Sequence, residues 1–234
     1  MHPPAPEPGP TPPSPTHYEQ THVHAVYDTI APHFSSTRHK PWPLVTSFLT
    51  SLPSGSLVLD LGCGNGKYLL PSLPHHFIGT DRSLPLLRLA RSRTRADVLV
   101  ADSLALPFRK GCADAAICIA VVHHFSTMER RREAIAEMLS CVREGGEVLV
   151  YVWALEQKDS RRGWDEGGEQ DLLVPWVVKG KGGEKDETYQ RYYHLYRKGE
   201  LEEDVRAVGA RVLRGGYEKD NWWVVCTIGA TSGQ

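Results

Sequence analysis

The chain has 234 residues, 41% of them hydrophobic and 24% charged, enough length and apolar content for one domain with a substantial buried core. Twenty-seven Lys and Arg against 28 Asp and Glu give a formal net charge of -1 at pH 7, which excludes a uniformly basic histone-like protein and leaves any nucleic-acid contact to a local patch. Five cysteines with no C-x-x-C pair exclude a zinc site of the usual spacing and a secreted disulfide framework, so a reducing compartment is expected, the cytoplasm first and the nucleus second.

Residues 1–17 read as a proline-rich, disordered leader: eight of the 17 prolines fall within residues 1–15, beside a single charge, and such a stretch has little to bury. It lacks the basic and apolar regions of a signal peptide. The folded domain is expected over residues 18–230. Val23, Val26, Tyr27 and Ile30 form a helical stripe, expected to close at Ala31-Pro32, and a second helix is expected from Pro43 to Leu52. From Ser56 the pattern alternates between strand and helix. Strands are predicted at Leu57–Leu61, His76–Thr80, Asp97–Ala101, Asp114–Val122 and Glu147–Trp153, with helices after the first, over Arg82–Arg95 and over Thr127–Val142. Ala115 to Val122 is the longest unbroken apolar run, too short to span a bilayer. Residues 155–198 read as an irregular, charged segment. A helix (Glu200–Val208) and two strands (Arg211–Tyr217, Trp222–Ile228) follow, joined by a turn so short that one must run antiparallel. The fold class is therefore α/β, a doubly wound, mostly parallel, seven-stranded sheet with an antiparallel carboxyl-terminal strand.

In such sheets ligands sit at the carboxyl ends of the strands. The first strand ends in D-L-G-C-G-N-G, Asp60 to Gly66, where Gly62, Gly64 and Gly66 let the backbone turn tightly and approach a ligand. Asp81 closes the second strand, 21 residues after Asp60, and is placed to accept from both hydroxyls of a ribose. Asp102, beside Ser103, closes the third and suits the exocyclic amine of an adenine. A dinucleotide site would read G-x-G-x-x-G and offer a helix start to pyrophosphate. The acid before these glycines instead suits a cationic cofactor, S-adenosylmethionine.

Further blocks extend the pattern: V-H-A-V-Y-D-T-I-A-P-H-F-S-S-T-R-H-K-P-W-P (Val23 to Pro43), I-A-V-V-H-H (Ile119 to His124), W-A-L-E-Q (Trp153 to Gln157), S-R-R-G (Ser160 to Gly163), Q-D-L-L-V-P-W (Gln170 to Trp176), R-Y-Y-H-L-Y-R (Arg191 to Arg197) and D-N-W-W-V-V (Asp220 to Val225). With these the chain resembles, from Val23 to Val225, the S-adenosylmethionine-dependent tRNA wobble-uridine carboxymethyl methyltransferases. The resemblance implies a Rossmann-like class I methyltransferase domain. It implies esterification of the carboxylate of 5-carboxymethyluridine, or its 2-thio form, in a tRNA anticodon stem-loop. It also implies a heterodimer with a small zinc-binding activator subunit, expected to cover an apolar edge at Val98, Leu99 and Val100. Family members can carry a long charged insert where this chain has only Val177 to Gln190. A methyltransferase acting on a protein or small molecule is the alternative.

Within that frame the candidate catalytic residues are His124, Trp153, Arg162 and Arg38, placed around the transferable methyl. Tyr27, Asp60, Gly62, Gly64, Gly66, Asp81, Asp102 and Ser103 are expected at the cofactor. His33, Lys40, His123, Arg161, Arg191, Tyr193, His194 and Asn221 are expected on the substrate side, where cations interleaved with aromatics suit stacked bases and phosphates. Core packing is the competing role for Tyr27, Trp153, one of the two histidines and the tyrosines of Arg191–Arg197. The five arginines of residues 82–95 are a further candidate phosphate contact. No resident metal is expected, nor any membrane association, and a carboxylate acceptor needs no cysteine nucleophile.

Overall fold

The structure, a computed structural model, describes residues 14–38, 40–157, 164–180 and 185–229. Seven strands form one sheet: β1 (Leu57–Leu61), β2 (His76–Asp81), β3 (Asp97–Val100), β4 (Ala113–Ile119), β5 (Val142–Trp153), β8 (Arg211–Glu218) and β9 (Asn221–Thr227), in the order β3-β2-β1-β4-β5-β9-β8. The first five are parallel, and β9 runs antiparallel to both neighbours. The turn between β8 and β9 holds Lys219 and Asp220 at φ 48° and 65°, the left-handed pair that a two-residue hairpin requires.

Alternate residues of each central strand feed two cores, which is why their sequences are mostly apolar on both faces. Val58, Ala115, Ile117, Leu149 and Tyr151 pack with Val45, Phe48 and Leu49 of α3 (Pro43–Ser51) and Leu87 of α4 (Leu84–Thr94). Leu59, Ala116, Cys118, Val148 and Val150 meet Ala134, Ile135 and Met138 of α5 (Met128–Cys141) and Leu201 and Val205 of α6 (Glu200–Ala207). None of the described helices is long and apolar enough to cross a membrane.

Four stretches differ from expectation. Helix begins at Pro15, inside the presumed leader, because Ser14 caps α1 (Pro15–Glu19) by accepting from His17 N; residues 1–13 lie outside the described chain. A π turn (Gln20–His24) then leads into α2 (Ala25–Thr37), which runs through Pro32 instead of stopping there. Burial of Ile30 and Ala31 outweighs the one N–H that proline withholds. After the glycine turn no helix forms. Residues 66–75 take short turns, with Leu69 N bonded to Gly66 O and Leu73 N to Leu70 O, and Pro71 and Pro74 bar a continuous ladder. Residues 155–198 are not wholly irregular: β6 (Asp171–Val178) and β7 (Glu187–His194) pair as an antiparallel hairpin. Pro175 masks the strand pattern, yet a two-stranded ribbon has free edges on which proline costs little.

Candidate active site

A cleft of about 1020 Å³ opens beyond the carboxyl ends of β1, β2 and β4, and residues from the π turn, α2 and β7 complete its lining. Its floor is the glycine turn. Gly62 sits at φ 81°, and a Cβ there would collide with Val121 Cγ2, so only glycine fits. Gly66 lies outside the lining; a Cβ on it would meet Ala90 Cβ of α4 at 3.0 Å. The missing Cβ lets the turn seat closely on that helix, while the other two glycines of the expected cofactor set, Gly62 and Gly64, line the cleft.

The acids sit as the strand ends dictate. Asp81 Oδ2 accepts from Gly64 N at 2.8 Å and Oδ1 from Ser83 N at 2.9 Å. Burial pushes its carboxyl up while those backbone bonds pull it back, and each oxygen keeps a further acceptor site. Asp60 is 1% exposed and its Oδ2 has no hydrogen-bond partner. Burial pushes Asp60 up to about 7, with Lys67 drawing it down and Asp81 raising it. Asp102 accepts from Leu104 N at 3.0 Å and from Arg82 Nη1 at 3.1 Å. The same Arg82 nitrogen lies 3.1 Å from His24 Nε2, tying the π turn to the end of β3. Ser103 lines the cleft beside it.

The opposite wall is cationic and aromatic. Arg191 Nη1 donates to Tyr193 Oη at 2.8 Å and Tyr27 Oη at 3.3 Å. His124 Nδ1 is 2.8 Å from the Tyr192 carbonyl and so carries the proton, leaving Nε2 to accept from Tyr27 Oη at 3.0 Å. Burial drives His124 down to about 3 despite that carbonyl, and the nearby Arg191 lowers it further, so the imidazole is neutral. Trp153 lines the cleft, its ring 4.4 Å from that of Tyr193. Asn221 donates through Nδ2 to Lys219 O at 2.6 Å, leaving Oδ1 buried and unpartnered. Arg38 and Lys40 are exposed members of the lining, with the Arg38 guanidinium 5.4 Å from the Trp176 ring.

Three expected substrate residues stand apart from the lining. His33 Nδ1 accepts from Trp176 Nε1 at 3.0 Å, fastening α2 to the hairpin. His123 follows β4 on a one-turn 3-10 helix (Val122–His124), because β4 ends at Ile119, with Ala120 at φ 62°, instead of reaching Val122. It is wholly buried, accepts from Trp153 N at 3.1 Å and stacks on Tyr193. His194 is clasped by Asp171 (2.9 Å) and Glu200 (2.7 Å); burial opposes its charge, yet the two carboxylates raise it above the usual histidine value. Arg161 and Arg162 lie outside the described residues.

Lys67 was not anticipated. It lines the cleft with Nζ 4.8 Å from the Trp42 ring and 4.5 Å from Tyr68, and burial lowers it to about 8 against the pull of Asp60. Its place directly after the glycine turn was the available signal. Glu19, which also lines the cleft, had none.

These groups suit one kind of ligand. A buried carboxylate without a partner wants a cation, and acids at the ends of β2 and β3 suit hydroxyls and an amine. With no helix after the glycine turn, the start that a pyrophosphate needs is missing. Among the described residues no cluster of His, Cys, Asp and Glu could hold a metal.

Comparisons agree with the geometry. Residues 58–146 match a family described as a methyltransferase domain. The chain is 47% identical over 222 residues, 89% of its length and 96% of the relative's, to the tRNA (carboxymethyluridine(34)-5-O)-methyltransferase of Schizosaccharomyces pombe. It shares its fold with an S-adenosylmethionine-dependent methyltransferase from Clostridium acetobutylicum (TM-score 0.64, 15% identity, 88% of this chain and 100% of that one). A methyltransferase solved in complex with the Haloferax volcanii Trm112 activator is also similar, at TM-score 0.62 and 16% identity over 87% of this chain and 98% of the other.

Proposed function

The chain belongs to the tRNA (carboxymethyluridine(34)-5-O)-methyltransferases, and on that premise we propose how its cleft carries out their reaction. The enzyme transfers a methyl group from S-adenosylmethionine to the carboxylate of 5-carboxymethyluridine at the tRNA wobble position. The observation that carries the assignment of the cleft is the unpartnered carboxylate of Asp60 in its floor. Asp60 would hold the cationic amino-acid end of the cofactor, Asp81 the ribose hydroxyls, and Asp102 with Ser103 the adenine. When bound, S-adenosylmethionine supplies an electrophilic methyl carbon whose bonding pair leaves with sulfur.

The acceptor is already ionised at neutral pH, so the protein need not remove a proton. His123 and His124, both held neutral by burial, therefore order the wall of the cleft without acting as bases. Positioning is what the protein contributes. Nor is a thiolate at hand: burial pushes Cys63 and Cys118 up, and Cys226 up to about 12. Nucleoside mass analysis should show tRNA from cells lacking the enzyme gaining the methyl ester of its carboxymethyluridine on incubation with the chain and cofactor. Methyl on the ring or ribose, or on protein in place of tRNA, would overturn the reading.

Asp60 gives a second test. Its carboxyl is raised to about 7, so below that pH a cationic ligand must first displace a proton. Cofactor affinity should rise about tenfold per pH unit below 7 and fall again above about 8, where the ligand's own α-amino group loses its proton. In Asp60→Asn the rising limb should vanish while the falling limb stays; calorimetry across pH decides it.

The heterodimer with a small zinc-binding activator is part of the same proposal. It draws on the similarity to a methyltransferase solved in complex with the Trm112 methyltransferase activator and on the edge position of β3. Val100 there is 55% exposed, and an open apolar edge invites an added strand. Val100→Lys should reduce co-purification of the activator at least about tenfold, the effect of roughly 1.4 kcal/mol, with the melting temperature of the isolated chain unchanged. Equal recovery would remove this edge from the interface. Five free cysteines suit the cytoplasm, and we place the enzyme there, with the nucleus as a second location.

A further inference from the structure

Arg191 is a charge without a counter-charge. It is 3% exposed, yet among the described residues no carboxylate lies within ion-pairing distance of it. The other deeply buried arginine, Arg131, has Glu200 at 3.8 Å, and Arg130 and Arg132 on the same helix have Glu19 and Asp204. What surrounds Arg191 is aromatic: ring centroids of Trp176 at 4.6 Å, Tyr193 at 5.1 Å and Tyr27 at 5.9 Å. Its Nε has no hydrogen-bond partner. Burying a cation in this way is costly unless an anion arrives to pair with it.

The network behind it has a fixed polarity. A guanidinium only donates, so both tyrosine hydroxyls accept from it, and Tyr27 in turn donates a hydrogen bond to His124 Nε2. His124 in turn spends its N–H on the Tyr192 carbonyl and stays neutral. No member of this chain supplies negative charge, and several guanidinium donors remain unspent. Tyr27, His124, Arg191 and Tyr193 all line the cleft.

We propose that Arg191 reads the ionised carboxylate of the wobble carboxymethyl group and, through the same contact, lets the enzyme distinguish its substrate from its neutral product. The inference rests on the esterification described above. In that step one carboxylate oxygen gains a bond to the methyl carbon as the carbon–sulfur bond breaks. The pair stays on sulfur and no proton moves. The acceptor enters as an anion and leaves as an uncharged ester. A guanidinium held on the non-attacking oxygen orients the nucleophile without blunting the oxygen that reacts, and loses its ion pair once the ester has formed. Release of product then needs no separate trigger.

The test uses synthetic anticodon stem-loops carrying 5-carboxymethyluridine, its carboxamide or its methyl ester, titrated by anisotropy against the full chain, alone and with the activator, at fixed salt. Wild type should bind the carboxylate about tenfold to hundredfold more tightly than either neutral form, the range for hydrogen bonds to a charged group. Arg191→Gln should level the three, and Arg191→Lys should keep part of the preference, having charge without the planar fork. If wild type binds all three alike, the proposal fails whatever the variants do. If Arg191→Gln weakens all three equally and keeps the preference, Arg191 is only a pillar of the hairpin and the proposal fails as well. Absence of esterification of the carboxymethyl stem-loop by wild type with S-adenosylmethionine is a separate result, and it would instead defeat the functional reading beneath.

Discussion

Replacing Glu19 by alanine should detach the amino-terminal helices from the domain. Glu19 is 1% exposed and binds four donors: Ser126 N at 2.8 Å, Ser126 Oγ at 2.9 Å, Arg130 Nε at 2.9 Å and Arg130 Nη2 at 2.7 Å. Breaking one side of a buried ion pair costs about 3–5 kcal/mol. The Arg130 side chain retains 19% exposure and can regain some water, which points to the lower end, about 3 kcal/mol. The damage should be local first. Amides of α1 and the π turn should exchange with solvent far faster than those of β1, β4 and β5. Cofactor affinity should fall too, since Val23, His24 and Tyr27 bring this segment into the cleft wall. Unaltered exchange over residues 15–30 would show that Glu19 fastens nothing.

The second large effect is expected at Gly62. Alanine there meets two penalties at once: a left-handed backbone at φ 81° and a collision with Val121 Cγ2. Backbone strain of this kind costs on the order of 1–3 kcal/mol, and overpacking adds about 1–3 kcal/mol. The urea midpoint of Gly62→Ala should fall accordingly, and cofactor binding should be lost with the turn's shape. Adding Val121→Ala removes the collision but not the strain, so the double variant should recover only part of the stability. Full recovery would mean that the backbone conformation costs nothing.

The central sheet was legible because parallel strands buried on both faces are predominantly apolar, as in Leu57–Leu61 and in the run from Ala115, although β4 stops at Ile119, short of the expected Val122. The acids of the cleft were legible for a related reason. Asp60, Asp81 and Asp102 stand where an apolar run stops, and a fold of this class puts such positions in one cleft. Tertiary contacts hid the rest. Pro32 and Pro175 each carry a local signal against regular structure, and each is overruled, by burial of Ile30 and Ala31 in one case and by a ribbon's free edges in the other. His194 looks like its neighbour Arg191 in sequence. Only folding reveals that Asp171 and Glu200, from β6 and α6, consume the one while among the described residues no acid reaches the other. His33 was likewise lost to Trp176, 143 positions away.

The bare crossing between β1 and β2 bears on where this protein can be cut. Because residues 66–75 supply no helix, the flank of the sheet at Val58 and Phe77 is shielded by Val45, Phe48 and Leu49, which precede the first strand. The stretch matching the methyltransferase family starts at residue 58, beyond that shield. A fragment trimmed to the family's borders would carry its glycine turn and its acids yet present a naked greasy flank to water, and it would clump instead of behaving as a miniature enzyme. Residues 43–51, which line almost nothing of the cleft, close only this flank; a fragment that stays in solution needs them together with β5, α6 and β9, whose Leu149, Val150, Leu201 and Val224 complete the two cores beyond residue 146.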